Sequence, residues 1–169
     1  MIEIPFLLQI HIILSLVGIL SGLVVAYGWL TGRPLAGWTA LFLATTALTS
    51  ITGFPLPPFG FDPARVVGAL SLILLAVAAL ARYRFDLSGA WRPIYVGTAC
   101  AALYLNVFVA VVQSFQKLPA VHALAPTQSE PPFLIAQVVV LAAFVALGVI
   151  AALRFHPSPG GATLSPMRG

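Results

Sequence analysis

The stretch FLLQIHIILSLVGILSGLVVAYGWL, residues 6–30, contains no Asp, Glu, Lys or Arg. A helix that spans a membrane needs about 20 predominantly apolar residues to cross about 30 Å of hydrocarbon. Four further apolar runs follow it, at residues 38–54, 64–81, 93–115 and 133–153. The sequence therefore predicts an all-α protein, an integral membrane bundle of five transmembrane helices.

The composition excludes a water-facing surface over most of the chain. Of the 169 residues, 60% are hydrophobic and only 7% are charged, whereas soluble domains carry about 25% charged residues. A transmembrane β-barrel would show strands of about 10 residues with alternating polarity, and these runs are continuous and longer. We expect one membrane domain over residues 1–156 and a disordered cytoplasmic tail, rich in Pro, Gly and Ser, over 157–169.

The basic residues are divided unequally between the two sides of the predicted bundle. Arg65 and Lys117 lie on the side of the N-terminus. The opposite side holds Arg33, Arg82, Arg84, Arg92, Arg154 and Arg168. Because cytoplasmic loops are enriched in Lys and Arg, this distribution predicts an N-out/C-in protein of the bacterial inner (plasma) membrane. Trp29, Trp38 and Trp91 fall at the arginine-rich boundary, as expected for rings that prefer the headgroup level.

Charge placement and cysteine content restrict the partners and the chemistry. The net charge is +4, but no Lys/Arg patch is interleaved with aromatic residues, so nucleic acid is not an expected partner. The single cysteine, Cys100, allows neither an internal disulfide nor a CxxC motif. No Walker, HExxH or GxSxG motif occurs, which favours a non-enzymatic protein without excluding an enzyme. The expected partner is the lipid bilayer, with a homo-oligomer or a larger membrane complex as further options.

Polar side chains inside the runs gather toward the outer half of the predicted bundle. In the first run, His11, Ser15, Gly18 and Gly22 share one face of a helix. Gly18 and Gly22 also form a GxxxG pattern, which lets another helix approach closely. If the polar stripes face one another, they form a ligand pocket that opens outward. Its predicted lining residues are His11, Ser15, Thr49, Thr52, Asn106, Gln113 and Gln137.

Two interpretations of this polar set remain open. Hydroxyls in membrane helices often bond their own backbone carbonyls, and amides often join helices, so the set is either part of the packing or a binding site. A binding site would take a small ligand, a lipid or a partner protein. Four polar residues are predicted at the outer surface nearby: Asp62, Lys117, His122 and Glu130.

His11 is the one histidine inside an apolar run, and it opens further alternatives. Haem in helical proteins is held by axial ligands such as histidine, and His122 is the other histidine on the same side. A haem- or quinone-binding redox module using His11 is therefore one alternative, although the sequence requires no cofactor. A metal site is not predicted, because no compact ligand spacing occurs. A small oligomeric channel or permease, assembled through the GxxxG face, is the other alternative.

Three stretches carry a resemblance to small bacterial polytopic membrane proteins. They are TTALTSITGF at 45–54, ALYLNVFV at 102–109 and LAPTQSEPPF at 124–133. The resemblance covers much of the chain and implies a multi-pass membrane protein. It implies no activity.

Overall fold

The computed structural model describes residues 4–57 and 63–157, and all regular structure in these ranges is helical. The long helices are α1 (Ile4–Leu30), α2 (Ala36–Gly53), α3 (Pro63–Ala79), α4 (Trp91–Lys117) and α6 (Pro131–Arg154). A single-turn helix, α5 (Pro119–His122), lies between α4 and α6. Each predicted apolar run thus coincides with one long helix. The predicted tail lies outside the described residues from position 158 onward.

Four helices of the described chain are long and apolar enough to cross a membrane: Ile4–Leu30, Pro63–Arg84, Trp91–Lys117 and Pro131–Arg154. This result indicates a multi-pass membrane protein. The sequence predicted five spans, and the structure has four candidates. Helix α2 forms at the predicted place but is not one of these four candidate spans. Its 18 residues include Thr39, Thr45, Thr46, Thr49, Ser50 and Thr52. These hydroxyls make α2 less apolar than its neighbours.

Helix α4 is the centre of the bundle and contacts all the other long helices. Small, fully buried side chains on α4, such as Ala99 and Ala102, let the neighbouring backbones approach it closely. By contrast, α6 packs on α4 and α1 alone among the long helices, and only 6% of its most apolar window is buried inside the protein. The bundle therefore has a well-packed side around α4 and a lipid-exposed side formed by α6.

Aromatic side chains fill the core at the end of the bundle where α1 ends and α4 begins. Trp29, Tyr95 and Phe155 are each 1% exposed. The Trp29 Nε1 donates to the Tyr95 hydroxyl at 3.4 Å, and the two rings meet edge to face at 6.0 Å. The Trp29 indole is therefore enclosed by protein at this end of the bundle. Trp38, which is 48% exposed, faces outward.

Helix α3 does not end at Ala79 but continues through one π-helical turn, Leu80–Arg84. The loop that follows uses the left-handed backbone region at Asp86, Leu87 and Gly89, with φ of 47°, 55° and 52°. Asp86 and Leu87 have side chains, so their conformation costs of order 1–3 kcal/mol each and must be held by the surrounding contacts. The result is a tightly shaped connection at the arginine-rich end of the bundle.

Candidate functional site

Polar side chains of α1, α2 and α4 meet at one place, which we call the polar junction and define by His11, Ser15, Thr46, Thr52 and Asn106. The His11 Nδ1 lies 3.1 Å from the Thr52 Oγ1, and this contact joins α1 to α2. The Ser15 hydroxyl donates to the Asn106 Oδ1 at 3.0 Å, which joins α1 to α4. Four of the predicted pocket residues are therefore brought together here.

Gly18 makes the close approach at the polar junction possible. A Cβ atom on Gly18 would lie 2.9 Å from the Thr46 Oγ1 and 3.1 Å from the Asn106 Nδ2. One turn along, a Cβ on Gly22 would lie 2.5 Å from the Leu103 Cδ1. The GxxxG face of α1 is thus occupied by α2 and α4 within one chain. An oligomer would have to use a different face.

The contacts of His11 decide which of its ring nitrogens carries the proton. The Thr52 hydroxyl is within 2.8 Å of the Leu48 carbonyl oxygen and 3.1 Å of the Thr49 carbonyl oxygen, and it has one proton to donate. It therefore accepts from His11, whose neutral ring carries its proton on Nδ1. The Nε2 of His11 is left with a free lone pair. That atom is available to a ligand that donates a hydrogen bond.

Two buried atoms of the polar junction have no hydrogen-bond partner in the described chain: the Thr46 Oγ1 and the Asn106 Nδ2. Thr46 is 1% exposed and Asn106 is 8% exposed. A buried polar atom without a partner costs about 1–3 kcal/mol. Both atoms lie against Gly18, so the unmet hydrogen-bonding capacity is concentrated at one point.

The other predicted pocket residues are arranged differently. Thr49 is buried and donates to the Thr45 carbonyl in its own helix, as expected for a hydroxyl that serves packing. Gln137 donates from Nε2 to the Phe108 carbonyl at 3.3 Å and so joins α6 to α4. The Oε1 atoms of Gln113 and Gln137 are buried without a partner. Two surface grooves, one between α2 and α3 and one between α4 and α6, include none of the predicted pocket residues.

The outer-surface residues form part of the connection between α4 and α6. Lys117 ends α4, and its charge acts at His11. The Nδ1 of His122 lies 2.9 Å from the Phe115 carbonyl oxygen, so this nitrogen is the donor and Nε2 keeps a lone pair. Asp62, the fourth predicted surface residue, lies outside the described residues.

Glu130 stabilises the turn that precedes α6. Its carboxylate accepts from the Thr127 hydroxyl at 2.9 Å, from the Thr127 amide at 3.2 Å and from the Ser129 amide at 3.2 Å. Desolvation alone would raise the pKa of Glu130. The hydrogen bonds to the charged form outweigh it and lower the pKa below the ordinary value. The Glu130 carboxylate therefore uses its hydrogen-bonding capacity within this turn.

The chain was compared with family models, curated proteins and solved structures. No family model, no curated protein and no solved structure matches the chain. Across the residues that the structure describes, no group of three or more His, Cys, Asp or Glu is arranged to hold a metal ion.

Thr46 is the junction residue that the predicted pocket omitted. The neighbouring hydroxyls of α2 follow the usual pattern, since Thr45 and Ser50 donate to carbonyls of their own helix. Thr46 faces Gly18 instead and has no such bond. Its place opposite Gly18 depends on how α1 and α2 pack, so no sequence pattern singles it out.

Proposed function

We propose that the chain is an N-out/C-in protein of the bacterial inner membrane that binds a small polar molecule at the polar junction, without catalysing a reaction. In this proposal α2 is the fifth span. Its buried hydroxyls, such as Thr45 and Thr49, bond carbonyls of their own helix and are shielded by α1 and α4, so α2 presents little unpaired polarity to lipid. The unequal division of arginines supports the orientation.

The observation that carries the proposal is the pair of unpartnered atoms beside Gly18. The Asn106 Nδ2 needs an acceptor, and the Thr46 hydroxyl can serve as donor or acceptor. The His11 Nε2 can accept a hydrogen bond from a donor on the ligand. A complementary ligand therefore carries both hydrogen-bond donors and acceptors. The positive charge of Lys117, which acts at His11, disfavours a cationic ligand.

An exchange of hydrogen bonds would let such a ligand reach Asn106. Gly18 leaves no room for even a Cβ, so the ligand approaches from the His11 side of the junction. It donates to the Asn106 Oδ1 in place of the Ser15 hydroxyl and accepts from the Asn106 Nδ2. Ser15 then donates to the carbonyl of His11, four residues earlier in the same helix, as hydroxyls in helices commonly do. The exchange leaves no new polar group unpaired.

The test is the identification of a small molecule that co-purifies with the protein in mild detergent. We compare the wild type with Asn106→Leu, and with Gln137→Leu as a matched control. Asn106 and Gln137 are buried amides of equal exposure, 8%, on different interfaces. Native mass spectrometry should show the same small molecule on the wild type and on Gln137→Leu, and none on Asn106→Leu. A bare wild-type protein, or equal retention by all three, rejects the proposal.

A second candidate, a haem-binding redox module, is favoured by one specific observation. Both His11 and His122 use Nδ1 as a donor and so keep Nε2 free, which is the atom that ligates haem iron in many proteins. The absorption spectrum after haem-supplemented expression tests it. A Soret band that disappears in His11→Ala but persists in His156→Ala supports this candidate. The absence of a Soret band in the wild type removes it.

A further inference from the structure

An apolar groove of about 440 Å³ runs between α2 and α3. Its walls are built largely from small side chains: Ala40, Ala44, Ala47, Ala76 and Ala79. Consecutive helices run antiparallel, so the first turns of α2 face the last turns of α3. The groove therefore extends toward the end of the bundle where the arginines are concentrated, and Tyr83 borders it there.

The residues around Tyr83 make this end of the groove strongly positive. Tyr83 belongs to the π turn, and Arg82 and Arg84 flank it in the same turn. The side chain of Arg82 is half-buried. The side chain of Arg84 is exposed.

Arg82 and Arg84 are the basic residues of the π turn. Over residues 4–57 and 63–157, neither Arg82 nor Arg84 has a carboxylate partner, and the contact found for Arg84 is with the Phe85 ring, 5.8 Å from its guanidinium carbon. Asp86, two residues beyond Arg84, is the one acidic residue on this side of the bundle. Two guanidinium groups at the end of an apolar groove complement a molecule with one anionic and one apolar end.

We propose that this groove binds an anionic phospholipid. One acyl chain lies along the alanine-lined walls, and the phosphate meets Arg82, Arg84 and the hydroxyl of Tyr83. Guanidinium groups bind phosphate with two parallel hydrogen bonds, and tyrosine is common at the headgroup level. A π turn adds one residue to the helix and changes the direction of the side chains beyond it, and such turns are frequent at functional sites. Here the turn brings Tyr83 to the groove between two arginines.

The charged end, rather than the acyl chain, should decide which lipid binds. An acyl chain that moves from bulk lipid into an apolar groove leaves one hydrocarbon environment for another, so it gains packing contacts but little hydrophobic free energy. The phosphate of every phospholipid reaches the arginines. A net negative headgroup keeps its charge there, whereas a choline cation cancels it. The groove therefore determines where the lipid binds, and the arginines determine which headgroup is preferred.

The test measures lipid binding to the delipidated full-length protein in mild detergent by native mass spectrometry. The probes are phosphatidylglycerol and phosphatidylcholine with the same acyl chains. The variants are Arg82→Gln/Arg84→Gln, which removes the charge, and Ala44→Leu, which fills the groove at an exposed position. Arg154→Gln is the matched control, because Arg154 ends α6, which packs on α1 and α4 rather than on the groove. Thermal unfolding midpoints check that each variant is folded.

We expect the wild type to prefer phosphatidylglycerol by about thirtyfold (about 2 kcal/mol), at two basic residues per headgroup. The double arginine variant should lose this preference, Ala44→Leu should bind both lipids more weakly, and Arg154→Gln should behave like the wild type. Equal binding of the two lipids by the wild type overturns the proposal. An equal loss of preference in Arg154→Gln and in the double variant also overturns it, because it shows that overall charge rather than this groove selects the lipid.

Discussion

Gly22 lies where α1 comes closest to α2 and α4, and Gly22→Ala tests whether this contact holds the bundle together. A Cβ at this position would lie 2.5 Å from the Leu103 Cδ1 and 3.0 Å from the Phe42 Cδ2. Leu103 and Phe42 are each 0% exposed, so neither side chain has free space into which it can move. The added methyl group therefore has to separate the helices or force its neighbours away from their preferred rotamers.

The expected effect is a difference between two opposing contributions. Alanine in place of glycine stabilises a helix interior by about 0.8–1.0 kcal/mol. Overpacking a full core costs typically about 1–3 kcal/mol. Gly97→Ala is the matched control, because Gly97 also lies inside a long helix and a Cβ there meets nothing within 4 Å. Gly22→Ala should thus be less stable than Gly97→Ala by about 1–3 kcal/mol, since the helix-propensity gain is common to both.

The assay is reversible unfolding in mixed micelles, followed by circular dichroism, with the free energy of unfolding compared between the variants. A further variant, Leu103→Ala, removes the atom that the new Cβ would strike. The double variant Gly22→Ala/Leu103→Ala should be more stable than the sum of the single effects predicts. Equal stabilities of Gly22→Ala and Gly97→Ala, together with additive behaviour of the double variant, would refute the packing argument.

Three further predictions concern the polar residues. Asn106→Leu should leave the free energy of unfolding unchanged or raise it slightly. The reason is that the substitution removes the unpartnered Nδ2 together with the bond from Ser15. A loss of more than about 2 kcal/mol would show that the amide is essential to packing. Thr52→Val should lower the free energy of unfolding by about 0.6 kcal/mol, the average for a hydrogen bond between membrane helices, and a threefold larger loss would contradict that role. The lowered pKa of Glu130 means that its contribution to stability is present above the pKa of the unfolded chain and is lost as the pH falls through the folded pKa. The thermal midpoint of Glu130→Gln should therefore lack this acid-dependent decrease. If the midpoints of the variant and the wild type change with pH in the same way, Glu130 does not contribute to stability as proposed.

The lengths of the apolar runs were sufficient to predict most of the helices. The run at 93–115 lies within Trp91–Lys117, and the run at 133–153 lies within Pro131–Arg154. The boundaries differ in part because these helices continue beyond the apolar runs into polar residues such as Arg92, Lys117 and Arg154. The run at 38–54 also became a helix, but its many hydroxyls leave it outside the set that qualifies as membrane-spanning. Length alone did not separate α2 from the other helices.

The faces of the helices were also predictable, but their partners were not. Helical periodicity placed His11, Ser15 and Gly18 on one side of α1, and all three lie toward α2 and α4. Which hydroxyl or amide each one meets depends on the rotation and the relative height of three helices, which one sequence does not encode in any short pattern. The π turn at Leu80–Arg84 contains no Pro or Gly that would have predicted it from the sequence.

The contrast between α2 and α6 bears on how the chain enters the membrane during synthesis. Helix α6 has the most apolar window of the four candidate spans, with a mean hydropathy of 2.8, and it needs little shelter from other helices. Helix α2 carries hydroxyls that are hidden by α1 and α4. In the proposed five-span arrangement, we expect α6 to insert independently, whereas α2 is held in the bilayer only once α1 and α4 are beside it. A helix made after α1, α2 and α4 would then be the one that least needs the others.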